Sequence, residues 1–171
     1  DLDGEGIDLY DSMGDQIVGD ITSQIMLWDA GSEVNQEPGL GSDQAPRQAG
    51  ANTGAVDSDN TVRLATDDFS NLPAVSDVVK VTLSSTGDTG FTLRVENVSS
   101  SATLMTSDGN SHAVPLAPGV YVIHSGSDVL FDAGMMDYGY GLANIAEDGD
   151  PSGLATMLAT DTGVTQLYAP G

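Results

Sequence analysis

Twenty-six carboxylates share this chain with four cations, Arg47, Arg63, Lys80 and Arg94, and the net charge of −22 constrains it more than any other feature. Four cations cannot neutralise twenty-six acids. The fold must therefore spread like charges apart, have salt screen them, or bind cations. Screening is effective only in concentrated salt, where the Debye length falls from about 8 Å at physiological strength to about 3 Å at molar strength. The composition thus points to a salt-adapted, halophilic source, or else to an acidic extracellular protein rich in calcium sites. The same charge excludes partners. Nucleic-acid binding needs a basic footprint that four scattered cations cannot form. Anionic membrane surfaces repel the chain unless calcium bridges the two. No run approaches the roughly 18 apolar residues of a membrane-spanning helix.

Hydrophobic residues make up 39% of the 171, enough to bury a core, so wholesale disorder is not expected. Cysteine is absent, which removes disulfides and thiolate metal sites. The chain begins at Asp1 with no visible signal peptide, as expected for a mature or excised segment. Asn97-Val98-Ser99 is an acceptor sequon for N-glycosylation of an exported protein, with Asn97 the candidate site.

Along the chain, residues 1–15 predict a Gly- and Asp-rich loop with a short strand at Ile7–Tyr10. Residues 17–28 carry β-branched and large apolar residues without a helical cap and predict a strand. Residues 29–61 hold little apolar content and predict a long loop, of the kind that is usually functional or linker-like. Residues 75–85 and 91–98 alternate apolar and polar positions on either side of Thr86-Gly87-Asp88-Thr89-Gly90, a hairpin pattern. Short strands follow at 102–106, 119–124 and 128–132. Asp150-Pro151 opens the best helix, with aspartate as cap and proline in the first turn. Leu154, Met157 and Leu158 would share its buried face. A shorter helical turn is predicted over Leu142–Glu147. Many strands and one or two short helices predict an all-β fold, a β-sandwich of antiparallel strands.

Three acidic clusters could hold calcium, which takes six to eight oxygens from carboxylates, amides and carbonyls. The first is Asp29, Glu33, Asn35 and Glu37 at the mouth of the long loop. The second is Asp1, Asp3 and Glu5, and the third Glu147, Asp148 and Asp150. None has the EF-hand spacing, and the competing reading of each is a solvated acidic surface. Catalytic residues are not expected. His112 and His124 are the only near-neutral bases, their serine neighbours would point to opposite strand faces, and no nucleophile elbow, phosphate loop or zinc-binding helix motif is present. Trp28, the sole tryptophan, is expected in the core rather than on a ligand. Leu27-Trp28-Asp29-Ala30-Gly31 is echoed by Leu130-Phe131-Asp132-Ala133-Gly134, at spacing too irregular for a true repeat.

These segments carry a family resemblance. Phe131-Asp132-Ala133-Gly134, then Gly141-Leu142-Ala143 and Ala146-Glu147-Asp148-Gly149-Asp150-Pro151, resembles the amino-terminal part of a spondin-type domain. Val120-Tyr121-Val122-Ile123-His124-Ser125-Gly126 resembles the strand leading into it. The run from Trp28 to Gly39 (WDAGSEVNQEPG) resembles the carboxy-terminal part, and Gln44-Ala45-Pro46-Arg47-Gln48 is similar to archaeal and bacterial members. The resemblance implies a secreted or surface β-sandwich with calcium binding, adhesion or matrix roles and no catalysis, and it favours Asp29, Glu33 and Asn35 as oxygen ligands.

The order is inverted relative to that family: residues 1–61 match its carboxy-terminal part and 62–171 its amino-terminal part. The chain is then one compact module, cut out of phase or permuted, or a subunit completed by its neighbour. An incomplete sandwich leaves an unpaired edge that pairs with another chain. The function expected first is therefore a non-enzymatic, extracellular cell-surface filament, a pilus-like fibre assembled head-to-tail from copies of itself with calcium support. The alternative is a monomeric calcium-binding adhesion module for a protein or glycan.

Overall fold

The computed structural model describes residues 4–65, 69–126 and 129–160 and the backbone of 164–168. In chain order its strands are β1 (Gly19–Asp20), β2 (Trp28–Asp29), β3 (Arg63–Leu64), β4 (Val79–Ser85), β5 (Phe91–Asn97), β6 (Leu104–Met105), β7 (Ser111–His112), β8 (Tyr121–His124) and β9 (Val164–Tyr168). The helices are a 3-10 turn at Thr22–Gln24, α1 (Val75–Val78), a π-helical turn at Asn144–Asp148 and α2 (Ser152–Leu158). Strand pairing is antiparallel throughout, so the fold is all-β with short helices. The strands form one three-stranded sheet, β1-β4-β5, and three two-stranded ones.

The chain divides into two compact units, Asp1–Leu27 with Ser70–Pro115 and Trp28–Phe69 with Leu116–Gly171. The motif boundary at 61/62 is not a boundary between them. Val62 is wholly buried inside the second unit, where its N–H donates to the Met135 carbonyl.

In the first unit, β4 and β5 form the hairpin that alternation predicted, in register from Val79↔Asn97 to Ser85↔Phe91. Thr86 N–H donates to the Gly90 carbonyl and closes the turn. Val81 and Leu83 point to one face of β4 and bury against Ile21, with Ile7, Leu9, Ile17, Ile25, Val79 and Phe91 around them. Three expected strands are shortened. Val75–Val78 is a helical turn, since Ser76 and Asp77 favour turn backbone over pleat. Within 17–28, Asp20 Oδ1 accepts the Thr22 N–H and turns the chain after only two paired residues. At Ile7–Tyr10 the pairing is a single bridge from Tyr10 to Gln16, because Asp11 Oδ1 accepts the N–H groups of Met13 and Asp15 and folds the chain back.

In the second unit, β2 and β3 clasp the ends of the long loop, pairing Trp28 with Leu64 and Asp29 with Arg63. The two echoed motifs meet here. Trp28 stacks against Phe131 with ring centroids 4.9 Å apart, and Gly134 N–H donates to the Val62 carbonyl. Gly31 sits at φ +68, where a Cβ would run into the Thr61 backbone, so both motifs turn tightly around Thr61–Val62. Trp28 is half-buried rather than enclosed. Among the described residues of 128–132 there is no strand. The helix after Asp150-Pro151 is present, with Asp150 Oδ1 accepting the Ser152 N–H. Leu154 and Leu158 are buried, but Met157 faces solvent.

Candidate functional site

The long loop of the second unit is organised by its own side chains. Gln36 exchanges hydrogen bonds with Asp43, its amide donating to Oδ2 and its Oε1 accepting the Asp43 N–H. Gln44 donates to the Gln36 carbonyl and Arg47 to that of Gly41. The loop's two arms zip together where Val34 N–H meets the Ala55 carbonyl and Asp57 N–H meets that of Ser32. Glu33 lies between those contacts. Its Oε1 accepts the Gly54 N–H at 3.0 Å, and a Cβ on Gly54 would run into its carboxylate. Glycine at 54 is what lets the Glu33 carboxylate approach so closely.

Two charged centres result. In the first, Arg63 reaches Asp29 Oδ2 at 2.6 Å and Asp57 Oδ2 at 2.7 Å, and donates to the carbonyls of Asp59 and Thr61. Asp29 is buried, and also accepts the Gly31 N–H and the Asn35 amide, each at 2.7 Å. The N–H of Asp59 first, and then the hydrogen bond from Arg63, hold the Asp57 carboxyl below the usual range. This is an internal ion pair that fastens β2 to β3.

The second centre gathers Glu33, Gln48, Glu147 and Asp148. Gln48 Nε2 donates to Asp148 Oδ1 at 2.6 Å. Burial pushes the Glu147 carboxyl above the usual range; a hydrogen bond with Ser32 opposes this, while the charge and hydrogen bond of Glu33 and the charge of Asp148 add to it. Gln48 Oε1, Glu147 Oε1 and Asp148 Oδ2 are fully buried with no hydrogen-bond partner among the described residues. Buried oxygens without partners are costly and uncommon. All three are acceptors, so what satisfies them has to donate protons or carry positive charge. The π-helical turn that presents Glu147 and Asp148 is a geometry frequent at functional sites.

Of the sequence-derived ligand residues, Glu33 from the first cluster and Glu147 and Asp148 from the third join this centre. Asn35 donates its amide to Asp29, which is also paired with Arg63, so the two do not converge as oxygen ligands. The Glu37 carbonyl closes a turn onto Leu40 and Gly41. Asp1 and Asp3 lie outside the described residues. Among the described residues no three carboxylate or histidine side chains stand close enough to hold a metal by themselves. The Gln48 amide oxygen is therefore needed to complete any set. Gln48 was read in the sequence only as part of a resembling segment, and Arg63 only as a scarce cation. Scarcity was the usable signal: one of only four cations among twenty-six acids is expected to be shared by more than one of them.

His112 is exposed on β7, and the His124 ring bonds the Gly126 carbonyl in the other unit. Asn97 is exposed at the end of β5, its amide donating to the Val114 carbonyl and its Oδ1 accepting from Ser99. Beside the π-helical turn, an apolar cavity of about 180 Å³ is lined by Trp28, Val62, Phe131, Leu142 and Ile145 among others. No helix among the described residues is long and apolar enough to cross a membrane.

Comparison with known proteins finds no matching family, no matching curated protein and no matching solved structure.

Proposed function

We propose that this chain is a non-enzymatic structural protein of the cell exterior, a calcium-stabilised β module that assembles with copies of itself into a surface filament. The observation that carries the calcium part is the set of three buried, unpartnered oxygens on Gln48, Glu147 and Asp148, with Glu33 alongside. Calcium suits that set because it accepts mixed carboxylate and amide oxygens in flexible geometry and completes its shell with carbonyls or water. Bound there, it would supply the positive charge that the crowded acids lack. Glu147 and Asp148 would give carboxylate oxygen and Gln48 its amide oxygen, with the charge of Glu33 alongside. The spondin-type resemblance of the residues around Glu33 and Glu147 supports the same reading, as does a net charge of −22 that bound cations relieve.

A hydrolase would also use a pair of acids with one carboxyl raised. Here the unpartnered oxygens are fully buried, out of reach of a substrate. The apolar cavity beside Trp28 favours a second reading, a monomeric adhesion module that seats an apolar group of a protein or glycan.

Calorimetric titration with calcium, combined with light scattering in chelator and in calcium across a range of salt, tests the proposal. Binding that is lost in Glu147→Gln and in Gln48→Leu, with particles that grow in calcium and disperse in chelator, is the expected result. Absence of calcium binding at any salt would end the calcium reading. A monomer under every condition would leave only the adhesion module.

A further inference from the structure

Among the described residues of the first unit, one sheet edge has no strand paired to it, and its residues specify an occupant. β5 is the outer strand of the β1-β4-β5 sheet and runs for seven residues. Val98 N–H donates to the Val78 carbonyl, so by the alternation of an antiparallel ladder the even-numbered residues of β5 bond to β4. The backbone groups of 91, 93, 95 and 97 therefore face away from it.

Side chains follow the same parity. Val81 lies opposite Val95 and Leu83 opposite Leu93, so Phe91, Leu93 and Val95 share the face that holds the core. The segment that covers this face stops short. Ile21 and its neighbours bury β4, and Tyr10 packs edge-on against Phe91 at 5.5 Å. Leu93 remains 43% and Val95 55% exposed. Natural edges are usually guarded by proline, a bulge or an inward-pointing charge. β5 carries none of these: its register with β4 is unbroken, and Arg94 and Glu96 lie on the opposite face, paired with one another.

We infer that β5 pairs antiparallel with β5 of a second copy, about a two-fold axis through Leu93. It gives a surface to the assembly reading above and rests on that reading. Three features select the occupant and the register. The apolar positions 91, 93 and 95 are symmetric about Leu93, so the axis sets Leu93 against Leu93 and Phe91 against Val95 of the other copy, each an apolar cross-strand pair. Shifting the axis to residue 94 would oppose Arg94 to Arg94, which is repulsive. Shifting it to Val95 would set Leu93 against Asn97, whose side chain is already bonded to the Val114 carbonyl and Ser99. The edge is also locally neutral, with Arg94 offset by Glu96, in a chain that elsewhere repels its copies. Five paired residues, 91–95 of each copy, bury less than the roughly 1,000 Å² of a stable interface, so the pairing is concentration-dependent and requires screened charge.

The absence of native cysteine makes the test direct. Leu93→Cys, Arg94→Cys and Val95→Cys are each oxidised mildly in molar salt, and disulfide-linked dimer is quantified. Dimer yield should peak several-fold at Leu93→Cys, and sedimentation of the unmodified chain should show a concentration-dependent monomer–dimer equilibrium that Leu93→Lys abolishes while the circular dichroism spectrum is retained. Equal yields at the three positions, a maximum at another position, or a monomer at all concentrations would overturn the pairing. Should particles form with calcium and persist unchanged in Leu93→Lys, this surface is wrong while the assembly reading stands; if no particles form at all, the assembly reading fails with it.

Discussion

The two units solve the problem of a net charge of −22 in different ways. The first relies on a regular hairpin. Val81 and Leu83 of β4 bury against Ile21, and three of its carboxylates serve nearby backbone: Asp11, Asp20 and Asp108 each accept N–H groups two to four residues along. The second has only short strands among its described residues, apart from the β8–β9 pair. Its long loop is held by long-range polar contacts among Asp29, Asp57 and Arg63, and among Glu33, Gln48, Glu147 and Asp148. A sheet with alternating side chains separates core from charge automatically, so its acids can remain local. A loop has no such periodicity and must use its acids as structure, which brings like charges together and makes a cation valuable.

Removing Arg63 is expected to have the largest effect on that contrast. It would leave Asp29 buried with two hydrogen bonds but no counter-ion. Loss of one partner of a buried pair typically costs about 3–5 kcal/mol. Arg63→Ala should destabilise the second unit by that order, read from the fluorescence of Trp28, which lies in this unit and is the only tryptophan. Adding Asp29→Asn should recover part of the loss by removing the stranded charge. A change in Arg63→Ala below about 1 kcal/mol, the size typical of a surface ion pair, would mean that the loop does not depend on this pair.

Truncating the hairpin core comes next. Leu83→Ala should cost about 2–3 kcal/mol, the lower part of the range for such changes, because a small cluster can partly collapse into the space. Hydrogen exchange in β4 and β5 should accelerate while the Trp28 transition stays in place. If the Trp28 transition moves equally, the two units unfold together and the contrast between them is one of construction only.

How much of this could be read in advance follows from the range of the interactions. The β4–β5 hairpin was legible because alternation and a Gly-containing turn are local, and the helix after Asp150 because its cap and proline are adjacent. The long loop was legible from composition. Expected strands at Ile7–Tyr10 and over 17–28 failed where one aspartate, Asp11 or Asp20, captured neighbouring N–H groups and turned the chain. Apolar content alone does not register that competition. Of the site, the acid clusters were visible but not their pairing. Glu33 belongs to one cluster and Glu147 and Asp148 to another, and only the β2–β3 clasp and the π-helical turn bring them together. Asp29 and Asn35 looked like ligands on the spacing of oxygens, yet Asn35 donates to Asp29, and Asp29 pairs with Arg63, distant in sequence. Gln48 carries no charge and gave no signal in an acid count.

The smallest expected effect is a dependence on pH, and it differs in sign between the two units. Glu147 has its folded carboxyl raised above its ordinary value of 4.5, chiefly by burial. Between 4.5 and that raised value the folded state binds more protons than the unfolded state. Stability there falls as pH rises, so it is greatest below 4.5 and is lost as pH passes through the folded value. In the first unit Asp20 and Asp108 are lowered from 3.8, by the hydroxyl and N–H of Thr22 and by the hydroxyl of Thr106 with the N–H of Asn110. Their contribution is present above 3.8 and is lost as pH falls through their folded values. In chelator, acidifying from neutral should therefore strengthen the Trp28 transition before the hairpin's hydrogen-exchange protection begins to decline at lower pH. Calcium needs the deprotonated carboxylate. It should stabilise the second unit most at the upper end of the range and progressively less as Glu147 is protonated. Glu147→Gln should flatten the slope seen in chelator and remove most of the calcium response. Persistence of the wild-type slope in that variant would place the titrating group elsewhere, and the contrast between a hairpin with local acids and a loop with shared ones would lose its clearest chemical marker.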